Sequence, residues 1–545
     1  MIEDNTHIVK GMASVSAIPD VPIGRLIYDK LIANCVETEA LIDALTGQSI
    51  SYKELLTKTC SLAESLRRSG YGPNTMITVS SENCIEFFTP IIAAFYIGAT
   101  VAPVNHSYTQ SEMQHALNIA KPQIIFCSKQ IYPKFVDLKK RLNFIERILI
   151  IDSEDGTRDL RSIEAFIREN LHGNEPLYRF DVADVNLENQ IAFILYSSGT
   201  TGLPKGVMIT QRNVLTKFAH SDDPRLYPQE EGRSTMGLLP FFHAYGLFVG
   251  LGAIVKSTKV LVIKRFEERL FLSTIEKYKI TGLPLVPPLA VLLAKSPLVD
   301  AYDLSSIQHV GSGAAPLSKS TEELLKKRLK VNSFRQGYGL TEATLAVTGF
   351  PLDEERHGSS GRVFPYLLCK IRDPETGKSL GPNQVGEICI KGPIVMKGYY
   401  GNAEATKNAF TSDGWLLTGD LGYYDKDEFF FIVGRLKELI KYKGFQVPPA
   451  ELEAILLTNP KIKDAAVIGV PDEAAGELPL AFIVPHAKNE ISEEEVEKFL
   501  AERVSSHKRL RGGVIFISEI PKNPSGKILR RKLHDLLNKF YKAKL

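Results

Sequence analysis

The segment Ile191-Ala-Phe-Ile-Leu-Tyr-Ser-Ser-Gly-Thr-Thr-Gly-Leu-Pro-Lys-Gly206 decides how this chain is interpreted. Its first six residues form an apolar run, which predicts a buried strand. The run leads into a loop that carries three glycines, four hydroxyl residues and Lys205. Glycines let backbone N–H groups approach an anion closely, hydroxyls add donors, and lysine supplies a compact positive charge. The segment therefore predicts a strand that ends in a phosphate-binding loop.

This loop differs from the Walker A loop, in which Gly-Lys-Ser/Thr opens a helix. Here Pro204 precedes Lys205 and Gly206 follows it. A Ser/Gly-rich turn without a ligand is the alternative interpretation. The position of the glycines and the lysine directly after an apolar strand favours phosphate binding over that alternative.

Strand-like and helix-like segments alternate around this loop. Residues 76–80 and 123–127 are typical of short strands, and residues 84–97 predict a buried helix. Residues 51–54, Ser-Tyr-Lys-Glu, form a capping box that opens a helix ending at Gly70. Such alternation favours an α/β fold with parallel sheets and helices on both faces.

The pattern changes twice towards the end of the chain. From about residue 360 to 433 the segments are short, β-like and interrupted by Gly and Pro, and after Gly434-Arg435 helices and strands alternate again. We therefore predict a large N-terminal domain over residues 1–436, with two parallel-type α/β sheets and a small β-barrel-like subdomain. A small, mobile α+β C-terminal domain is predicted over residues 437–545.

Composition excludes several classes of protein. The 545 residues are 44% hydrophobic and 24% charged, so the chain is not a disordered protein. The net charge of +3 provides no overall basic field for nucleic acid, although residues 521–545 carry a local excess of basic residues. The longest apolar stretch, residues 90–104, is too short to span a bilayer. Six scattered cysteines without a CxxC pair predict reduced thiols rather than a zinc site.

Five further segments repeat a known pattern together with the loop. In chain order they read LPFFHAYG (239–246), QGYGLTE (336–342), GWLLTGD (414–420), GRLKELIKYKG (434–444) and PKNPSGK (521–527). All six motifs resemble, in order and spacing, those of the adenylate-forming superfamily of acyl-CoA synthetases, beetle luciferases and peptide-synthetase adenylation domains. The whole chain is most similar to insect luciferase-like fatty acyl-CoA synthetases.

The resemblance implies an ATP-dependent fatty acid–CoA ligase with ATP, Mg²⁺ and coenzyme A as cofactors. Two anions must meet in the first step, so catalysis depends on positioning and electrostatics. Lys527 would bridge the carboxylate and the α-phosphate, with His243 and Thr341 beside them. Glu342 would bind Mg²⁺, and Lys441 would serve the coenzyme A step after a rotation about the hinge residue Lys437. Taken alone, a histidine among aromatic residues such as His243 is more often a core histidine, and a solvated turn lysine is the alternative interpretation of Lys527.

The resemblance also implies a nucleotide site and an acyl pocket. The predicted nucleotide-binding residues are Ser197, Ser198, Gly199, Thr200, Thr201, Gly202, Lys205, Gly313, Ala314, Gln336, Gly337, Tyr338, Gly339, Asp420, Arg435 and Lys443. The predicted acyl pocket consists of Lys217, Tyr245, Gly246, Phe248, Leu340 and Leu345, with Lys217 near its mouth. Because this set is mainly apolar, we expect medium- to long-chain fatty acids, with aromatic acids as a variant.

The pocket departs from that of beetle luciferases. Those enzymes resemble His-His-Gly-Phe-Gly where this chain has residues 242–246, and Ser-Gly-Gly where it has residues 312–314. They carry serine where Leu345 stands. Each change makes the pocket more apolar or narrower, so little light from firefly luciferin is expected. A luciferase-type monooxygenase and a non-catalytic binding protein remain the alternatives.

The last three residues, Ala543-Lys544-Leu545, resemble the SKL peroxisomal address. They predict a peroxisomal location and the peroxisomal import receptor as a partner. No nucleic-acid partner is expected, because no stacking aromatic residues alternate with the basic residues of the tail. No transmembrane segment and no secretory signal are expected either.

Overall fold

The computed structural model describes residues 6–152, 161–171, 177–197, 204–227, 232–315, 317, 319–331, 333–443, 445–487, 490–523 and 526–544. Five residues of the predicted phosphate loop, Ser198, Gly199, Thr200, Thr201 and Gly202, lie outside the described residues.

The helices are α1 (Ile23–Ala33), α2 (Tyr52–Arg68), α3 (Phe88–Tyr96), α4 (Gln110–Ala120), α5 (Tyr132–Lys139), α6 (Ile163–Asn170), α7 (Gln211–Asp222), α8 (Ala244–Val255), α9 (Glu268–Tyr278), α10 (Pro287–Lys295), α11 (Lys319–Leu329), α12 (Ala403–Ala409), α13 (Pro449–Leu456), α14 (Glu493–Ala501) and α15 (Arg530–Lys544). The strands are β1 (Val9–Lys10), β2 (Glu39–Asp43), β3 (Ser49–Ser51), β4 (Met76–Ser80), β5 (Thr100–Pro103), β6 (Ile124–Cys127), β7 (Arg147–Ile150), β8 (Ile191–Ser197), β9 (Lys205–Thr210), β10 (Ser234–Gly237), β11 (Lys259–Val262), β12 (Gly282–Leu285), β13 (His309–Ser312), β14 (Ser333–Gln336), β15 (Thr348–Gly349), β16 (Arg362–Val363), β17 (Leu368–Arg372), β18 (Ser379–Leu380), β19 (Gly386–Lys391), β20 (Gly398–Tyr399), β21 (Leu416–Tyr424), β22 (Phe430–Arg435), β23 (Ile440–Tyr442), β24 (Phe445–Val447), β25 (Ile462–Asp472), β26 (Gly476–Pro485) and β27 (Gly513–Phe516).

Two large sheets carry the parallel strands that the alternation predicts. One has the order β20-β9-β8-β5-β4-β6-β7, and the other has the order β14-β13-β12-β10-β11-β2-β3. Their inner strands pair in parallel, whereas β20, β9 and β3 add antiparallel pairs at the edges. These two sheets confirm the predicted α/β class.

A third sheet follows the change of pattern near residue 360. It is antiparallel, with the order β1-β17-β19-β21-β22 and with β18 paired to β17. This sheet is the small subdomain that we predict as barrel-like. Its last pair, β21 with β22, sets Asp420 opposite Arg435, so two predicted nucleotide-binding residues face each other across the ladder.

The end of the chain forms its own sheet, in the order β24-β23-β26-β25 with β27 paired to β26. Helices α13 and α14 pack beside it, as expected for a separate α+β domain. The boundary between residues 436 and 437 remains a prediction, and it falls within the short 3₁₀ turn Leu436–Glu438. Whether this domain moves also remains a prediction.

Local sequence accounts for several element ends. The Ser51 side chain accepts a hydrogen bond from the Glu54 backbone N–H, and the Glu54 side chain accepts one from the Ser51 backbone N–H. Helix α2 therefore begins with the predicted capping box. Helix α3 begins at Phe88, four residues later than we predict. The preceding chain is tied to the neighbouring sheet, because the Asn83 amide donates to the carbonyls of Gly237 and Leu239. Within the described residues, no helix combines the length and apolar character needed to cross a bilayer.

Candidate active site

A cavity of about 1000 Å³ lies where the two parallel sheets, the antiparallel sheet and the C-terminal loop meet. The sequence-predicted residues that line it are Ser197, Lys205, Lys217, His243, Tyr245, Phe248, Gly313, Ala314, Gln336, Gly337, Tyr338, Gly339, Leu340, Thr341, Glu342, Leu345, Arg435, Lys437 and Lys527. Residues separated by more than 300 positions in the chain therefore share one cavity. This clustering is what a site with several ligands requires.

Of the predicted residues that the structure describes, four do not line the cavity. Gly246 packs against the backbone of Leu239 and Pro240, where a Cβ atom would lie 2.4 and 2.3 Å from their carbonyl oxygens. We therefore correct its expected place in the acyl wall: Gly246 allows helix α8 to approach the preceding loop. Asp420 lies behind the wall, and Lys441 and Lys443 are exposed on another face of the C-terminal domain.

Lys527 reaches the cavity from a loop of the C-terminal domain. Its backbone N–H donates to Asn523 Oδ1 at 2.8 Å. The backbones of Lys522 and Ile528 form an isolated antiparallel β-bridge across the loop. Burial, together with the nearby charge of Arg435, lowers the pKa of Lys527 to about 8. Asp420 and Glu438 partly oppose that shift. Near neutral pH this lysine is therefore a cation held in a confined site, as charge stabilisation of an anionic reaction requires.

Asp420 is 5% exposed and is held from two sides. The Tyr338 hydroxyl donates to Asp420 Oδ2 at 2.8 Å, and Arg435 Nε lies 3.1 Å from Oδ1. Burial raises the pKa of this carboxyl, whereas Arg435, Tyr338 and Lys527 lower it. The group thus links Tyr338 in the cavity wall to the end of β22. Its binding of ribose hydroxyls remains a prediction.

Lys205, Tyr399 and Glu342 form a second polar group beside the phosphate loop. The Lys205 ammonium lies 4.7 Å from the centre of the Tyr399 ring, and the Tyr399 hydroxyl donates to Glu342 Oε1 at 3.0 Å. Tyr399 belongs to β20 and pairs with Val207 of β9, two residues after Lys205. Our sequence reasoning missed Tyr399, because nothing near residue 399 marks it as part of a site.

The turn at residues 339–345 closes tightly on itself. A Cβ atom at Gly339 would lie 1.5 Å from the Leu345 carbonyl oxygen, so only glycine fits there. Thr344 and Leu345 adopt positive φ angles of 49° and 91°. This backbone turns Leu340, Thr341 and Leu345 towards the cavity. Ala314, in the facing loop, also has a positive φ, of 71°.

His243 and helix α8 connect the two ends of the cavity. His243 is the N-cap of α8, and burial and the charge of Lys527 both lower its pKa, so the imidazole is neutral at neutral pH. One face of α8 lines the cavity with Ala244, Tyr245, Phe248, Val249, Gly252 and Ala253. Their spacing of one and then three residues is that of a single helical stripe. The stripe ends at Lys256, which also lines the cavity.

Basic side chains collect at the end of the cavity marked by Lys256. Lys217, only 4% exposed, donates to Ser221 Oγ at 3.0 Å and to the Tyr227 hydroxyl at 3.4 Å. We predict Lys217 near the mouth of the pocket, but the structure buries it deep inside. Arg233 and Arg335 line the same region. Sequence reasoning missed Arg233, Lys256 and Arg335, which stand on three separate segments.

Lys441 and Lys443, the lysines predicted to serve the coenzyme A step or to bind nucleotide, form a second lysine face that lies away from the cavity. The Lys441 backbone donates to Glu477 Oε2 at 2.8 Å, and Lys443, with a φ of 47°, donates from its backbone to the Ala475 carbonyl. Between the two faces, Arg530 binds Glu438 at 2.9 Å and Glu453 at 2.6 Å, which ties the turn that holds Lys437 to the C-terminal domain. The structure thus brings Lys527, and not Lys441, to the cavity.

The chain matches the family described as AMP-binding enzyme over residues 30–400, and the AMP-binding enzyme C-terminal domain over residues 451–527. This chain belongs to the AMP-binding enzyme family. The predicted membership of the adenylate-forming superfamily is thereby confirmed. The chain is 44% identical to the luciferin 4-monooxygenase of Photuris pensylvanica, over 99% of this chain and 100% of that relative.

Other relatives of this AMP-binding enzyme extend the comparison. Peroxisomal OPC-8:0-CoA ligase 1 of Arabidopsis thaliana is 39% identical, over 91% of this chain and 90% of its own. The crystal structure of ATP-bound MatB from Rhodopseudomonas palustris superimposes with a TM-score of 0.83 at 26% identity, covering 94% of this chain and 99% of that one. The relatives thus include both CoA ligases and luciferases, within one adenylate-forming fold.

Proposed function

We propose that this protein is an ATP-dependent fatty acid–CoA ligase for medium- to long-chain acids. One observation carries the proposal: Lys527 and His243 line the same cavity, near enough for the charge of Lys527 to lower the pKa of His243, and the apolar face of α8 continues the lining from His243. That arrangement suits a chain whose carboxylate reacts beside the lysine while its methylenes lie along the helix. Each buried methylene contributes about 0.8 kcal/mol, so the preference for chain length should be graded.

The first step joins the acid to the α-phosphate. An oxygen of the carboxylate attacks the α-phosphorus of ATP, and the bond from that phosphorus to the bridging oxygen of pyrophosphate breaks. Lys527 lowers the repulsion between the two anions, and the neutral His243 imidazole can donate a hydrogen bond to one of them. Thr341 and the 197–206 loop would hold the phosphates, and Asp420 with Arg435 would hold the ribose. Each of these roles is part of the proposal.

The second step transfers the acyl group. The sulfur of coenzyme A attacks the acyl carbonyl, the carbon–oxygen bond to AMP breaks, and the thiol proton passes to solvent. Lys441 and Lys443 would serve this step after the C-terminal domain turns about Lys437. Both lysines are attached to the sheet that also carries the Lys527 loop, because Lys522 binds Asp464 of β25 at 2.6 Å. One rotation therefore exchanges the two lysine faces.

Glu342 fits the role of a Mg²⁺ ligand. Its carboxylate lines the cavity beside Thr341, and Mg²⁺ in such sites takes one or two carboxylates, substrate phosphates and water. The described residues contain no cluster of three or more His, Cys, Asp or Glu side chains suited to a metal. The ion would thus enter with the nucleotide and neutralise phosphate charge.

A luciferase-type monooxygenase is the second candidate, favoured by the 44% identity to a luciferin 4-monooxygenase. Leu345 lines the cavity where luciferases carry serine, so a polar luciferin would lose a hydrogen-bonding partner. We expect little light from firefly luciferin, and more from the Leu345→Ser variant than from the parent. Equal light from both proteins would count against this description of the pocket.

The deciding experiment uses the purified chain with Mg-ATP, coenzyme A and fatty acids from eight to twenty carbons. AMP release and the mass of the acyl-CoA product are followed. Acyl-CoA with an optimum in chain length supports the ligase. Pyrophosphate release without thioester, together with oxygen-dependent light, would instead support the monooxygenase. No turnover of ATP with any of these fatty acids would contradict the ligase.

A peroxisomal location belongs to the same proposal. It is supported by the likeness of Ala543-Lys544-Leu545 to a peroxisomal address and by the peroxisomal relative. The import receptor would be the partner. A fluorescent fusion with a free C-terminus should mark peroxisomes, and the same fusion with Leu545 deleted should not.

A further inference from the structure

Strand β21 leaves its regular pairing with β19 for three residues. Residues 418–420 stand opposite the single residue Ile388, and pairing resumes where Leu421 meets Glu387. A bulge of this kind interrupts the ladder, bends the strand and redirects the side chains that it carries. The bulge ends in Asp420, so the strand departs from the ladder at the carboxylate that we assign to the ribose.

Side chains on both strands hold this bulge. The Thr418 hydroxyl donates to the Ile388 carbonyl at 2.7 Å and accepts from the Asp420 N–H at 3.1 Å. The N–H of Gly419, the middle residue, donates to Glu387 Oε1 at 3.0 Å. Gly419 has a φ of 70°, which glycine adopts without strain. Glu387 is therefore the acceptor that fixes the middle of the bulge.

Glu387 is a buried carboxylate in the cavity wall. It is 6% exposed, and it lines the cavity together with Thr418 and Gly419. Its second oxygen lies 3.8 Å from Arg372 Nη1, on the neighbouring strand β17. Burial raises the pKa of Glu387, the Gly419 N–H and Arg372 oppose that shift, and Asp420 adds to it. A carboxylate buried in this way needs hydrogen bonds, and the bulge supplies one of them.

The Asp420 carboxylate can accept more donors than the protein gives it here. A carboxylate has about four lone-pair sites. The Tyr338 hydroxyl takes one on Oδ2, and Arg435 Nε takes one on Oδ1. The two sites that remain match the two neighbouring hydroxyls of a ribose. Because Asp420 is only 5% exposed, a small shift of the bulge would change whether a ligand in the cavity reaches it.

We propose that Glu387 is a positioning residue of the nucleotide site, which sets the bulge so that Asp420 meets both ribose hydroxyls. This inference rests on the ribose role of Asp420 in the proposed ligase. Glu387 acts through the Gly419 N–H and makes no bond to the nucleotide. The affinity that the ribose hydroxyls contribute should thus depend on Glu387, whereas the affinity that the adenine and the phosphates contribute should not.

The test compares two nucleotides that differ only at the ribose. The purified full-length chain is titrated by calorimetry with the Mg²⁺ complexes of ATP and 2′,3′-dideoxy-ATP, without acid or coenzyme A. The wild type should bind ATP about tenfold more tightly or better, because hydrogen bonds to a charged group are lost with the hydroxyls. In Glu387→Ala this ratio of Kd values should fall about threefold or more, while the dideoxy nucleotide binds within about twofold of its wild-type Kd.

Two further variants separate the hydrogen bond from the charge and from folding. Glu387→Gln keeps an oxygen that accepts from the Gly419 N–H, so its ratio should stay near the wild-type value. Thr418→Val removes the hydroxyl on the other side of the bulge, and its ratio should also fall, even if Glu387→Ala does not fold. Gln384→Ala is the matched control and should keep the wild-type ratio. Gln384 Oε1 accepts from the Gly381 N–H at 3.0 Å, in a turn of the same sheet outside the cavity lining.

The ratio of the two Kd values distinguishes positioning from support of the fold. If Glu387→Ala weakens both nucleotides by the same factor, Glu387 supports only the fold and the inference is overturned. The inference is also overturned if Glu387→Gln loses as much of the ratio as Glu387→Ala, or if Thr418→Val keeps all of it.

Failure of the inference can be told apart from failure of the proposed function. If the wild type binds both nucleotides equally, the ribose role of Asp420 fails and this inference fails with it. AMP release with a fatty acid would still support the ligase in that case. If the wild type discriminates and Glu387→Ala discriminates equally well, the ribose role stands and only the role of Glu387 is wrong.

Discussion

The two ends of the cavity are built in different ways. The end that holds Lys527 is made of turns and loops whose residues are contiguous in the sequence, such as 336–342 and 521–527. The end that holds Lys256 is made of single side chains from α7, α8 and two strand termini. Chemistry shared by many acids can be encoded in compact motifs, because its geometry does not change. Recognition of one acid depends on side chains that only the fold brings together.

Removing the charge at the Lys527 end should have the largest effect. Lys527→Met is expected to lower kcat/KM for adenylation about 10²- to 10³-fold, the usual cost of losing one preorganised charge-stabilising donor. Pyrophosphate release measures that step. Lys522→Met is the control from the same loop, since Lys522 binds Asp464 outside the cavity, and it should stay near the wild-type rate.

Substitution of the exposed Lys441 should affect thioester formation rather than adenylation. Lys441→Met is expected to leave pyrophosphate release within about twofold of the wild type, and to slow thioester formation about tenfold, the range of one lost contact. Acyl-adenylate should accumulate when coenzyme A is present. If adenylation and thioester formation fell together, the proposed division between the two lysine faces would be wrong.

The pKa of Lys527 predicts the pH dependence of the reactive end. Since that pKa is lowered to about 8, the required cation is present below pH 8 and is lost as pH rises through that value. We expect kcat/KM for adenylation of a monocarboxylic acid to fall above pH 8, by up to about tenfold per pH unit. Lys527→Arg should move this decline to higher pH.

Lys256 has a similar pKa and must be separated from this measurement. The profile is therefore recorded in the Lys256→Met background, where only Lys527 of the two can titrate. If the decline disappears in that background, it is caused by Lys256 instead. In that case the fall of kcat/KM above pH 8 would report on Lys256 and not on Lys527.

The smallest expected effect is on stability, and it concerns the backbone of the loop that contains Ala314. Ala314 has a φ of 71°, a region that glycine adopts without strain. Ala314→Gly is expected to raise the free energy of unfolding by up to about 1 kcal/mol, measured from the urea midpoint. Ala454→Gly, inside helix α13, should lower it by about 1 kcal/mol. A loss of stability in Ala314→Gly would show that the methyl group contributes packing that outweighs the strain.

Much of the fold could be predicted from local signals. The Ser51 capping box, the strands near 76–80 and 123–127 and the β-rich subdomain all follow from periodicity and turn residues. The start of α3 could not be predicted, because the Asn83 side chain, which is bonded to a distant sheet, controls the chain before it. Tertiary contacts of that kind leave no local pattern.

The site divides along the same line. Lys527, His243, Thr341 and Glu342 were predicted because they belong to motifs, and the structure brings them to one cavity. Lys256 could not be distinguished by its sequence, since a lysine after an apolar helix is the usual partner of a helix C-terminus. Arg233 similarly resembles an ordinary charge before a strand. Only packing shows that these cations share one space.

Gly252, on the cavity face of α8, has open space where its Cβ atom would lie. A larger residue there would project into the path of the acyl chain one turn before Lys256. Because glycine within a helix costs about 0.5–1 kcal/mol relative to alanine, such a change should not weaken the helix. In the proposed ligase, the length of the acid admitted would then be set by the side chain at this one position, without dismantling the core. A larger side chain at different positions along α8 would then change the acid length that is accepted, while the residues around Lys527 stayed the same.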